Sequence, residues 1–268
     1  MIFADIELSR RLERAVGFAC VQSAVARRKV YPGSGADWIE CAGTYAVFDG
    51  VDSPVTQTFG LGMFEPATDA ALERIESFFL ERGAPVFHEV SPLAGVETFQ
   101  LLGLRGYRPI ELSNVLYRTV EEPKIDLHKS IRVRPIHPGE EQLWSEISAR
   151  GWSHEHPELR EFMLELGKVF AAREHSVSFL AEIDGTPGAA GALSIHEGVA
   201  LFAGSATVPE LRHRGLQGAM LHERMRYAFE RGCDLAMMVA LPGSESQRNA
   251  ERKGFRVAYT RTKWQLRE

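Results

Sequence analysis

One run of this chain has the residue types needed to hold an anion: Arg212-His213-Arg214-Gly215-Leu216-Gln217-Gly218-Ala219. Strand-forming Ser205-Ala206-Thr207-Val208 precedes it, and a helix-forming stretch to Arg231 comes after it. A helix start exposes main-chain N–H groups with no carbonyl behind them, at the positive end of the helix dipole, so a loop that opens one suits a pyrophosphate. Gly215 and Gly218 let the main chain approach phosphate closely, and Arg212 and Arg214 add countercharge. Several charge-assisted hydrogen bonds of about 1.5–3 kcal/mol each suffice for micromolar binding after the cost of ordering. The run has neither the Gly-Lys-Ser/Thr of a Walker loop nor a dinucleotide GxGxxG.

Other chemically capable residues read more plainly. Trp152-Ser153-His154-Glu155-His156 offers a base or a pocket lining, yet its composition is that of a solvated loop between helices. His196 falls near a turn and is expected at the surface. Met237-Met238, in an apolar run, are expected core filler. Cys233 follows a helix and is expected to be packed rather than nucleophilic. The three cysteines, Cys20, Cys41 and Cys233, are odd in number and lack ligand spacing, which points to a reducing, cytoplasmic setting with no metal and no disulfide framework.

The 268 residues carry a net charge of −5, which gives no general attraction for nucleic acid. Residues 1–125 hold 12 basic and 17 acidic side chains, whereas residues 126–268 hold 19 of each. Within that neutral half, Arg248 to Arg267 carries seven basic residues and one acid. The longest apolar run, Leu235 to Leu241, is far short of the roughly 20 residues a bilayer requires. The N-terminus turns charged at Asp5 and Glu7, so no signal peptide and no membrane partner are expected.

The elements that must position the anion loop can be read from pattern and punctuation. An amphipathic helix is predicted over Asp5 to Arg28, with strands over Trp38 to Phe48 and Val55 to Phe64 joined by a turn at Asp49-Gly50. Thr68-Asp69 caps a helix to Arg82, Val86 to Val90 is a strand, Val96 to Leu104 a helix, and Tyr107 to Val120 a strand pair. Pro123 to Lys129 is the best linker. Beyond it come a strand at 131–136, helices at 139–150 and 157–173, and strands at 177–183, 188–196 and 199–207. The helix from Gly215, a buried strand at 235–241, a short helix at 244–253 and a last strand at 255–266 complete the order. Leu102-Gly-Leu-Arg-Gly106-Tyr107-Arg108 rhymes with Ala250-Glu-Arg-Lys-Gly254-Phe255-Arg256, each after a strand–helix pair, so an internal duplication is inferred.

Arg212-His213-Arg214-Gly215-Leu216-Gln217 resembles the Gln/Arg-x-x-Gly-x-Gly/Ala signature of the GNAT superfamily of acyl-CoA-dependent N-acyltransferases, with Gln217 where Gly or Ala is usual. The lead-in Thr207-Val208-Pro209-Glu210, the later Asn249-x-x-Arg252-x-Gly254-Phe255 and the element order over 131–267 are similar as well. The resemblance implies an α/β (α+β) fold of two tandem GNAT-like domains, each a mixed, mostly antiparallel sheet flanked by helices. Their expected bounds are 1–125 for a degenerate domain and 131–268 for the acetyltransferase domain.

It further implies acetyl-CoA as cosubstrate, held by Ala206, Thr207, Val208, Arg212, His213, Arg214, Gly215, Leu216, Gln217, Gly218 and Ala219, with Asn249 and Arg252. A main-chain N–H near Thr207 would polarise the thioester carbonyl while an amine attacks directly. Gln217 is compatible if its side chain turns outward. The Tyr that relatives use to protonate the leaving thiolate falls on Ala250, so Tyr259, Ser246 and Ser205 are the substitutes. Ser244 with Gln247 reads as a capping box around Ser246.

In the first half the corresponding stretch is Gly62-Met63-Phe64-Glu65-Pro66-Ala67-Thr68-Asp69, whose carboxylates at a helix start repel phosphate. That half is expected to build packing or to wall a cleft for a small amine acceptor with Trp38 and Tyr45. The chain is expected to be a monomer or homodimer. A non-catalytic acyl-CoA-binding or sensing protein, and an adaptor that retains only the fold, remain alternatives.

Overall fold

The computed structural model describes residues 3–122, 130–154 and 157–267. The expected linker at 123–129 lies outside them, as does His156. The chain divides into two compact units, one made of Met1–Arg118 with Met237–Glu268 and the other of Thr119–Ala236. These units are drawn differently from two continuous halves. The last 32 residues pack with the N-terminal segment, because the final strand finds its hydrogen-bond partners there.

The first unit opens with α1 (Ile6–Val30), whose N-cap Asp5 accepts the Leu8 amide. Strands β1 (Asp37–Cys41) and β2 (Thr44–Phe48) form a hairpin closed by Ala42-Gly43, both left-handed at φ 49° and 71°. The expected single strand over 38–48 is therefore two. Strand β3 spans only Gln57–Phe59, because the chain turns left-handed at Gly60 (φ 83°). Helix α2 (Asp69–Leu80) starts at Thr68, whose hydroxyl accepts the Ala71 amide as the sequence predicts. Strand β4 (Phe87–Val90) runs parallel to β3, then come α3 (Val96–Leu104) and β5 (Tyr107–Thr119), one continuous strand in place of the expected pair.

In the second unit β6 (Ile131–Pro135) precedes helices α4 (Glu141–Trp152) and α5 (Arg160–Ala171). Strands β7 (Ser176–Ile183), β8 (Thr186–His196) and β9 (Val199–Thr207) come after them. They form an antiparallel meander in the order β6-β7-β8-β9. Helix α6 (Leu216–Glu230) and strand β10 (Leu235–Ala240) come next, and the boundary between units falls inside β10. Trp144 of α4 is the centre of this core. It is fully buried, and its indole N–H donates to the carbonyls of Phe179 (3.0 Å) and Gly191 (3.3 Å).

The chain then re-enters the first unit as α7 (Glu245–Arg252) and β11 (Arg256–Leu266). Strand β11 lies antiparallel between β4 and β5, pairing Lys263 with Glu89 on one side and Arg261 with Ser113 on the other. Each unit is thus a mostly antiparallel sheet flanked by helices, as expected. No helix among the described residues is long and apolar enough to cross a membrane.

Strand β11 also carries the buried charges of the first unit. The Arg261 guanidinium lies between Glu13 of α1 (3.6 Å) and Glu89 of β4 (3.3 Å), and the Tyr259 hydroxyl donates to Glu13 at 2.7 Å. One cation serves two carboxylates away from water. Burial raises the Glu13 carboxyl above its ordinary range, against the opposing pull of Arg261 and the Tyr259 bond. A carboxyl raised in the folded state contributes stability that is full at low pH and is lost as pH rises through the folded value. Glu13→Gln keeps an acceptor for Tyr259 and does not titrate. Denaturant melts of the two proteins from pH 5 to 8 should show the variant gaining on the wild type as pH rises; a constant difference would mean that Glu13 is ionised throughout.

Candidate functional site

The end of β9, the loop after it and the start of α6 form one continuous structure. Along β9 the pairing with β8 slips: Ala206 lies opposite Ala190, but Ala203 lies opposite Ala192. One extra residue is therefore inserted on β9, where Gly204 takes φ 62°. A bulge of this kind bends the strand and re-aims the residues just beyond it, here Ser205, Ala206 and Thr207. Ser205 is half-buried, while Ala206, Thr207 and Val208 are buried.

Helix α4 presses on the same point. A side chain at Gly151, in its last turn, would meet Ala206 Cβ at 2.6 Å and the Thr207 nitrogen at 3.0 Å. Only glycine allows that approach.

The loop itself turns twice into the left-handed region, at His213 (φ 59°) and at Gly215 (φ 90°, ψ −5°). Gly215 is the N-cap of α6 and offers no side chain to cap it. The first helical bond runs from the Ala219 amide to the Gly215 carbonyl (3.0 Å), so the amides of Leu216, Gln217 and Gly218 have no carbonyl behind them within the helix. Arg214 and His213 are exposed beside this turn. Two exposed basic side chains at an uncapped helix start have the chemistry for a phosphate group. Leu216 and Ala219 are buried and anchor the turn from below.

Two side chains brace the loop against β9. Arg212, expected to face phosphate, donates to the carbonyls of Gly151 (3.2 Å) and Thr207 (3.4 Å). Gln217, expected to turn outward, turns back instead, its amide donating to the Thr207 hydroxyl at 2.8 Å. It thereby ties the first turn of α6 to the strand end. The Gln217 bond spans 10 residues and the Arg212 bond to Thr207 spans 5, while the Arg212 bond to Gly151 of α4 spans 61 and has no signature in sequence.

The candidates on α7 and β11 lie in the first unit. Ser246, Asn249 and Arg252 are exposed on α7. Ser244 caps that helix through the Gln247 amide, but the reciprocal bond reaches the Gly243 amide (2.7 Å) rather than that of Ser244. Tyr259 is 6% exposed and spends its proton on Glu13, and burial together with that carboxylate pushes its phenol well above the ordinary value. Tyr45, expected to attract an ammonium, already covers the Arg14 guanidinium at 4.8 Å.

At the start of α2 the pattern differs from that of α6. Thr68 caps the helix, and Asp69 holds Arg105 at 2.8 Å. Trp152 and His154 are exposed, and His196 is half-buried rather than exposed. Cys233 is buried, and burial raises its thiol, which disfavours a thiolate. No cluster of metal-ligating side chains is present among the described residues.

A family model of the acetyltransferase (GNAT) domain matches residues 141–246, a stretch that contains β9, the basic loop and α6. Solved structures that align over most of the chain include these three. A GCN5-related N-acetyltransferase from Kribbella flavida is 18% identical, with a TM-score of 0.68 over 95% of this chain and 96% of its own. A putative GNAT-family acetyltransferase from Novosphingobium aromaticivorans is 15% identical, with a TM-score of 0.56 over 90% and 96%. A tandem GNAT protein from the clavulanic acid biosynthesis pathway is 11% identical, with a TM-score of 0.57 over 83% and 78%. No curated protein matches the chain. The fold is that of the GNAT acetyltransferases, one that supports acyl transfer. Residues 141–246 are similar to the acetyltransferase (GNAT) domain, and the fold of the chain aligns with that of a tandem GNAT protein.

Proposed function

We propose that this chain transfers an acetyl group from acetyl-CoA to a small or cationic amine. The observation that carries the proposal is the uncapped, left-handed Gly215 turn, which α6 and the end of β9 hold together through Gln217 and Arg212. The pyrophosphate would lie on the amides of residues 216–218, with Arg214 and His213 beside it, and the thioester arm would run along Ala206 to Val208.

In the reaction the amine nitrogen attacks the thioester carbonyl carbon. A C–N bond forms, the C–S bond breaks, the nitrogen loses a proton and the CoA thiolate gains one. A main-chain N–H near Thr207 would stabilise the developing oxyanion. At neutral pH an alkylamine of pKa about 10.4 must first lose its proton, at a cost of about 4 kcal/mol that a base or water chain must offset. Ser205 stays as the candidate to protonate the thiolate, whereas Tyr259 does not, its hydroxyl being committed to Glu13. Ala250 at the family's Tyr position and this commitment of Tyr259 also favour the second reading, an acyl-CoA-binding protein without turnover. Acetyl-CoA consumption with an amine panel separates the two readings. Turnover, faster with small amines than with glutamate, supports the enzyme, and binding without turnover supports the sensor.

The two arginines of the loop should behave differently. Arg214→Ala should weaken CoA by about 1–3 kcal/mol and leave acetyl-pantetheine, which lacks the pyrophosphate, unchanged. Arg212→Ala should weaken both ligands, because Arg212 holds the Thr207 carbonyl. Calorimetry on both ligands checks this. Equal losses from Arg214→Ala on the two would place that side chain away from phosphate.

A further inference from the structure

Arg224, nine residues into α6, is 2% exposed. Its Nη1 donates to the carbonyls of Ala192 (3.1 Å) and Ala203 (3.4 Å), and its Nε donates to Met220 O (3.4 Å). The guanidinium lies 4.9 Å from the Phe202 ring centroid. Ala192 and Ala203 are the pair at which the β8–β9 register resumes beyond the bulge. A bulge interrupts the ladder and leaves carbonyls short of partners, and a buried carbonyl without a donor is costly. One arginine therefore supplies donors to both strands where the ladder is broken. The opposite residue, Gly191, admits the helix closely: a Cβ there would meet Met220 Sδ at 3.1 Å and Arg224 Nη1 at 3.5 Å. Burial lowers the guanidinium to about 9, which leaves it charged at neutral pH. A methionine would fill the same volume without the cost of desolvating a cation, so the donors are what distinguish arginine here.

We infer that Arg224 is a positioning residue for the acyl-CoA site, fixing α6 to the bulge of β9 and so setting the spacing between the phosphate turn and the strand end along which the thioester arm runs. The inference rests on the CoA reading above. A ligand that bridges two elements gains affinity from their fixed separation, and a fragment that touches one element does not. Loss of the tie should therefore weaken the whole cosubstrate while sparing its pieces.

The test is calorimetry on the full chain with acetyl-CoA, with adenosine 3′-phosphate 5′-diphosphate and with acetyl-pantetheine. Wild type, Arg224→Met and Arg224→Lys are compared below their melting temperatures. Arg224→Met should weaken acetyl-CoA by about 20-fold or more and each fragment by less than about 3-fold. Arg224→Lys, which can reach one carbonyl, should lose about 5-fold on acetyl-CoA alone. Equal losses on all three ligands, or none, would reduce Arg224 to a packing residue. If Arg224→Met does not fold, Arg224→Lys decides by the same comparison. A wild type that binds none of the three overturns the CoA reading itself, and this inference with it, and the first titration shows which has failed.

Discussion

Gly215→Glu should abolish acetyl-CoA binding, with a loss of about 100-fold or more, because it places a carboxylate where the pyrophosphate would meet the first turn of α6. Two effects add. A side chain at φ 90° costs about 1–2 kcal/mol in backbone strain, and the negative charge competes for the exposed amides of residues 216–218. Gly215→Ala isolates the strain and should lose about 5- to 30-fold. Asp69→Ala, at the start of α2 in the first unit, should leave CoA binding unchanged, since Thr68 and Asp69 already occupy that helix start with their own bonds. Isothermal titration of the three variants measures this directly. Equal losses at Gly215 and Asp69 would remove the assignment of CoA to the second unit alone.

Arg261→Leu should destabilise the first unit by about 3–5 kcal/mol, the usual cost of leaving buried carboxylates without their cation. Glu13 and Glu89 would then be buried together with no guanidinium between them, and the Glu13 carboxyl, no longer held down by Arg261, would rise further. Adding Glu89→Gln to Arg261→Leu should recover part of the loss, and the coupling between the two sites should exceed about 1 kcal/mol. Urea melts of the four proteins of this cycle supply the numbers; strictly additive effects would mean that the ion pair contributes nothing. The same geometry predicts that residues 1–125 expressed alone do not fold to the native first unit, because β11 stands between β4 and β5 in the sheet and hydrogen-bonds to both. Circular dichroism and amide exchange of that fragment test the point.

Much of this molecule is encoded in short stretches of sequence. The caps at Asp5, Thr68 and Ser244, the helix starting after Gly215 and the meander from Ser176 to Thr207 depend on neighbours a few residues away. Local hydrogen bonds and the period of apolar side chains specify them. The basic loop is legible for the same reason, since a glycine and arginines at a strand–helix junction carry their chemistry in adjacent positions.

Tertiary structure alone decided which strands meet. That β11 inserts between β4 and β5 is a choice among apolar strands with similar patterns, settled by total burial and ladder formation rather than by any local signal. That choice places Tyr259 against Glu13, 246 residues away, and so takes from it the free hydroxyl that its sequence position allowed. The bulge at Gly204, the ties from Arg212 and Gln217 to Thr207, and the carbonyls that hold Arg224 likewise depend on register. Register is fixed only when two faces pack, and a slip of one residue would turn every side chain of the strand to the opposite face.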